Sequence, residues 1–269
     1  MEAGDLAPSY GVHTEPNWFI EDRRDQPMRE KLPRDVWAHV VEDHRNFFGR
    51  TSLTYLALAF GGGAAMANTN FDQEFEEEYQ RDFRSHETDR VAAFVKPFGN
   101  GLYTIPVLAG AAAWNLVPGD ILGKETVGEW GGRGMRTLAV GAPFMLVMQQ
   151  ATGGSRPNET SHEPSSHWNF FQDNNGVSGH AFVGAVPFLT AARMAENPLL
   201  KTGLYAASTL PGISRLNDDA HYFSQVCLGW FIAFAASAAI DTTQTGNEHF
   251  SLVPIPIGNG IGLGMEFRR

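Results

Sequence analysis

What most limits the fold of this chain is the alternation of apolar runs with polar, turn-rich connections. Residues 51–71 carry no charged side chain, and the centre of that run, 53–67, is apolar around Gly61-Gly62-Gly63. Such a run suits either a membrane span or a helix wholly buried in a helical protein. Further runs follow at 102–117, 137–148, 181–195, 199–213 and 221–240, with Pro106, Pro187 and Pro211 inside the second, fourth and fifth. Six helices are therefore expected. A length of 269 residues with 43% hydrophobic content gives one large domain with a substantial core.

Three regions follow from this pattern. Residues 1–50 form a polar N-terminal region punctuated by Pro8, Pro16, Pro27 and Pro33, with a short helix beginning over 35–41, and no apolar leader segment stands in it. Residues 51–241 are the helical core. In the tail, 242–269, the segments 252–257 and 261–267 flank Gly258-Asn259-Gly260 and read as a hairpin of extended strands, suited to packing on the bundle or to a partner.

The connections carry few rival sites. Residues 74–90 crowd Glu, Asp and Arg around Phe75, Tyr79 and Phe83, a solvated amphipathic helix rather than an acidic metal site. Residues 128–134, rich in glycine, lack the Lys-Ser/Thr of a phosphate-binding loop and read as a plain turn. His13, His39 and His44 show no metal-ligand spacing, and His162 and His167 fall in a polar stretch read as a solvated loop. The single cysteine, Cys227, excludes an internal disulfide and reads as a buried small hydrophobe. A net charge of -10 without a basic tract argues against a nucleic-acid partner.

Chemistry concentrates elsewhere. Asn174-Asn175-Gly176-Val177-Ser178-Gly179-His180 opens the fourth run, and Ser214-Arg215 precedes His221 by six residues at the mouth of the sixth. Upstream, Gly153-Gly154-Ser155-Arg156-Pro157 follows the third run. In an up-and-down bundle the connections after helices three and five emerge at one end, which brings Arg156, His180, Arg215 and His221 within reach of one ligand. Cations and donors there suit an anionic phosphoryl group that one imidazole attacks while another protonates the leaving oxygen.

These segments resemble the type 2 phosphatidic acid phosphatase superfamily, which also holds bacterial acid phosphatases and vanadium haloperoxidases. The family pattern is Lys-x6-Arg-Pro, Pro-Ser-Gly-His, then Ser-Arg-x5-His-x3-Asp; this chain reads Gln149-x6-Arg156-Pro157, Val177-Ser178-Gly179-His180, then Ser214-Arg215-x5-His221-x3-Gln225. The resemblance implies an all-α six-helix bundle with the motifs after helix three and at the openings of helices four and six. It implies that His221 is the nucleophile, forming a phosphohistidine, and that His180 is the general acid. Arg156, Arg215, Ser178, Gly179, Ser214 and the Gln149 position would hold the phosphoryl group, with Gln225 orienting His221. No metal or other cofactor is implied, and vanadate is expected only as a phosphate mimic.

Two departures bear on activity. Gln149 replaces the family lysine, and Gln225 replaces the aspartate that orients and charges the nucleophile. Three readings stay open: a phosphatase for a phosphomonoester or pyrophosphate, lipid-borne by resemblance; a degenerate relative that binds a lipid phosphate or other anion without turnover; and, least favoured, a vanadate-dependent haloperoxidase. Runs one, two, three and six are apolar enough to suggest an integral membrane protein. The motif side would hold six of the 20 lysines and arginines and would face outward or the periplasm. The alternative is a soluble periplasmic or secreted protein, consistent with a mean hydropathy of -0.22.

Overall fold

The computed structural model describes residues 34–119, 121–159, 165–246, 250–257 and 260–267. The apolar runs become α2 (Arg50–Ala67), α5 (Gly101–Trp114), α6 (Lys124–Thr152), α7 (Gly179–Met194) and α10 (Phe223–Thr245). The fifth run divides into α8 (Pro198–Ala207) and α9 (Leu210–Asn217). Pro198 and Pro211 sit in the first turns of those two helices, where a missing amide hydrogen costs nothing, so Pro211 starts a helix instead of kinking one. With α1 (Arg34–Phe47), α3 (Phe71–Glu78) and α4 (His86–Val95), which lie where the short N-terminal helix and the acidic amphipathic helix were expected, ten α-helices lie among the described residues, seven of them from the six apolar runs.

α10 runs through the middle, against α1, α2, α6, α7 and α9. Leu228, Ile232 and Ile240 on it, with Phe182 and Leu189 on α7, are fully buried at its core. The described end of the polar N-terminal region, 34–50, packs on this core. Phe47 at the end of α1 is buried, and Asp43 takes a two-pronged pair from Arg136 of α6, Nε at 2.7 Å and Nη2 at 2.5 Å. His13 and His162 lie outside the described residues.

The glycine-rich stretch 128–134 is not a turn; it lies inside α6. Its helix propensity is poor, about 1 kcal/mol lost per glycine relative to alanine, yet α5 packs where side chains would stand. A Cβ on Gly131 would lie 2.3 Å from the Ala112 amide nitrogen, and one on Gly134 would lie 2.7 Å from Leu108. Tertiary packing overrides local propensity here.

The acidic stretch is helical as expected, through α3, a π-helical turn over Tyr79–Phe83 and α4. Phe71, Phe75, Tyr79 and Phe83 stack in succession along one stripe at 6.1 to 6.2 Å between centroids. Asp72, just before this stretch, is buried, and Glu76 within it is half-buried. Asp72 is 0% exposed and accepts the Ser224 backbone N–H at 3.0 Å and its hydroxyl at 2.5 Å, so α3 caps the start of α10. Glu76 faces Asp219; burial, then the Asp219 charge, pushes its carboxyl up to about 7.

The tail forms the hairpin, β1 (Phe250–Ile257) and β2 (Gly260–Phe267), antiparallel from Phe250 opposite Phe267 to Ile257 opposite Gly260. Cys227 is free and only partly buried. Among the described residues one helix, α10, is long and apolar enough to cross a membrane, and 67% of its apolar window is buried within the fold. The expectation of four spans is not met: α5, at 14 residues, is about 21 Å long against a hydrocarbon core of about 30 Å. The first half of α6 carries Lys124, Glu125, Glu129, Arg133 and Arg136.

Candidate active site

The site is assembled at one end of α10 by three chain reversals. α6 ends on Gly153, whose left-handed φ of 61° turns the chain into the Ser155-Arg156 loop. Arg156 is exposed, and its Nε donates to Asn175 Oδ1 at 2.7 Å; Asn175 in turn donates to Glu159 and Asp173, each at 3.0 Å. Asn175, present in the quoted stretch but given no role there, thus fixes the guanidinium direction.

The second reversal opens α7. Ser178 is its N-cap: the side chain accepts the Ala181 N–H and the carbonyl accepts that of Phe182. The amides of Gly179 and His180 precede that first intrahelical bond, so they are free to donate to an anion at the positive end of the helix dipole. Gln149 stands beside this turn and donates through Nε2 to the Val177 carbonyl at 2.8 Å. Its amide supports the loop backbone.

The third reversal joins α9 to α10. Asp219 N–H bonds the Leu216 carbonyl and Ala220 N–H bonds the Arg215 carbonyl, the two reciprocal bonds of a Schellman ending, with Asp219 in the left-handed position at φ 54°. This closure folds His221 back toward Arg215. Arg215 is buried and pairs through Nη1 with Asp218 Oδ2 at 3.0 Å. Ser214 is also buried, and its hydroxyl donates to the Pro211 carbonyl at 2.7 Å, so it is spent within α9.

Gln225 ties the three reversals together. It is 1% exposed; its Oε1 accepts from Tyr222 N–H at 3.2 Å and meets His221 Nδ1 at 2.8 Å, while Nε2 donates to the Ser155 carbonyl at 2.8 Å. Its backbone carbonyl accepts the Ser178 N–H at 2.9 Å. Because Oε1 only accepts, His221 carries its hydrogen on Nδ1 and leaves Nε2 with a bare lone pair. Close packing secures the arrangement: a Cβ on Gly229 would fall 2.2 Å from the Ser178 carbonyl oxygen.

Electrostatics show the same convergence. Burial pulls His221, 5% exposed, down to about 3, and Arg156, Arg215 and His180 push the same way against the Gln225 hydrogen bond. His180 is pulled down to about 4, by burial first, then by Arg215, Lys96 and Arg156. Both rings are neutral at pH 7. Arg156, His180, Arg215 and His221 thus lie within electrostatic reach of one another, and beside them stand two groups given no site role above, Lys96 and Asp218, held at 2.6 Å. Lys96 comes from a connection outside all three motifs; the only signal for it was that this connection leaves the bundle at the same end. His167 lies apart in an exposed loop, against Ser165 at 2.6 Å, and lines a polar cleft of about 240 Å³ that shares Ser155 with the site.

Residues 136–247 match the family model described as the PAP2 superfamily. Neither a curated protein nor a solved structure matches the chain.

Proposed function

We infer, from the membership of residues 136–247 in the PAP2 superfamily, a phosphatase-type function, and we propose that the chain hydrolyses a phosphomonoester or pyrophosphate carried on a lipid. The observation that carries this reading is the state of His221: neutral, fixed through Nδ1 by the Gln225 oxygen, with a bare Nε2 lone pair and the Arg156 and Arg215 charges acting on the ring. In the proposed reaction Nε2 attacks phosphorus, the P–N bond forms, and the P–O bond to the leaving group breaks. His180 gives its proton to the departing oxygen, and water then cleaves the phosphohistidine, returning Nε2 to its free state. Arg156, Arg215 and the Gly179 and His180 amides balance the equatorial charge, so charge neutralisation comes from side chains and backbone instead of a metal ion. Burial, then Arg215, Lys96 and Arg156, keep His180 neutral in the resting site, and it takes up its proton with the substrate, because the phosphoryl dianion beside it favours the imidazolium against both burial and the three cations.

An apolar groove of about 340 Å³ supports a lipid substrate. It is lined by Phe98, Tyr103, Val107, Trp130, Pro187 and Phe188, and Pro187 lies seven residues beyond His180, about 10 Å along α7. Leu102, Tyr103 and Val107 beside it are exposed, which suits a membrane surface. The second reading, anion binding without turnover, is favoured by one observation: the Gln225 amide supplies no negative charge for the cationic phosphohistidine. The test is phosphate release from lipid and soluble phosphates in detergent. Release that vanishes in His221→Ala and under vanadate supports the phosphatase; release indifferent to His221→Ala rejects it; vanadate binding without release establishes the second reading.

A further inference from the structure

Gln149 puts a neutral amide where the first motif has its lysine, and one of its two N–H groups goes to the Val177 carbonyl. A lysine nonetheless stands at the site, delivered from another part of the chain. Lys96 opens the 3-10 turn Lys96–Gly99 that follows α4. That turn is pressed onto the start of α7: a Cβ on Gly99 would lie 2.8 Å from the His180 carbonyl oxygen and 3.0 Å from its ring Cδ2. The ammonium Nζ is 2.6 Å from Asp218 Oδ2, the same oxygen that Arg215 Nη1 holds at 3.0 Å. One carboxylate oxygen therefore bridges an ammonium and a buried guanidinium beside His180.

We propose that Lys96 is the phosphate-binding lysine of this site, and that Asp218 is its resting counter-ion, which an arriving phosphoryl group displaces from both Lys96 and Arg215. The assignment rests on the phosphatase reading and adds a residue to it. A phosphoryl dianion offers three oxygens and about twice the charge of a carboxylate, so it outcompetes Asp218 for the two cations. Lys96 is free to follow it. Its side chain is 48% exposed and carries a compact charge on a flexible stem, whereas Arg215 is held inside α9. The depression of His180 by Lys96 agrees with this placement.

Isothermal titration of the full chain with orthovanadate and with inorganic phosphate tests the proposal in wild type, Lys96→Met, Lys96→Arg and Asp218→Asn. Loss of one charge-assisted contact is expected to weaken anion binding about tenfold in Lys96→Met, with Lys96→Arg retaining most of it. Asp218→Asn is expected to bind more tightly, because the internal competitor is gone. These opposite signs separate the proposal from a structural ion pair, whose loss from either side would weaken binding alike. Wild-type binding that Lys96→Met leaves unchanged, or equal weakening in Lys96→Met and Asp218→Asn, overturns the assignment while leaving the phosphatase reading intact. A wild-type protein that takes neither anion overturns both.

Discussion

Gln225→Glu tests the chemistry of the site most directly, because it keeps the side-chain shape and replaces one donor with an acceptor. The amide makes three side-chain bonds, to His221 and Tyr222 through Oε1 and to the Ser155 carbonyl through Nε2. Glutamate keeps the first two and sets a carboxylate oxygen against Ser155. Leaving that buried carbonyl without its donor costs about 1–3 kcal/mol, so the variant unfolds at lower urea. The compensation falls on His221. A unit negative charge about 4 Å from the imidazolium, at an effective dielectric of about 20, favours it by about 4 kcal/mol, or about three pH units at 1.36 kcal/mol each. His221 sits at about 3 in the wild type, so its midpoint in the variant is expected at about 6. NMR titration of the imidazole Cε1–H reads that midpoint, and the same preparation yields phosphate release, which rises as the cationic phosphohistidine gains a counter-charge. A midpoint still near 3 with unchanged stability would refute the placement of residue 225 between His221 and the Ser155 carbonyl, on which the His221 tautomer depends.

The pH dependence of stability follows from the same ring. The folded His221 value of about 3 lies below the ordinary 6.5, so the unfolded chain binds the extra proton and stability falls as pH drops from 6.5 toward 3. Between pH 7 and 5 this amounts to about 2 kcal/mol, read as the difference between wild-type and His221→Gln urea curves. The difference is needed because Glu76, raised to about 7, contributes with the opposite sign, its share being lost as pH rises through 7. Gly131→Ala drives a methyl into the α5 backbone and should lower stability by about 1–3 kcal/mol, whereas Gly132→Ala, with open space at its Cβ, should raise it by about 0.5–1. Equal shifts in the melting temperatures of those two variants would refute the packing account of α6. Asp72→Ala strips the cap from Ser224 and should cost about 1–3 kcal/mol, with phosphate release falling as the His221 end of α10 frays; unchanged stability would show that the Asp72 bonds contribute nothing.

What the sequence alone determined is the part governed by local pattern and by order. Apolar runs placed the long helices because burying a helical stripe needs apolar residues at helical spacing, and three ordered motifs announced a meeting of Arg156, His180, Arg215 and His221 because a bundle returns alternate connections to one end. The tertiary structure decided the rest, because each remaining outcome depends on what a residue faces and not on what adjoins it. Gly128, Gly131 and Gly134 read as a turn until α5 is laid against them. Glu76 reads as solvated until the Asp219 turn covers it, and Asp72 caps α10 from a position that the sequence does not single out. Gln225 reads as a lost carboxylate that still orients His221, and only the fold shows its amide also holding the Ser155 carbonyl, a partner of opposite polarity that an aspartate could not serve as well. Lys96 reads as one exposed cation among many, and only the packing of Gly99 on His180 brings its charge to that ring.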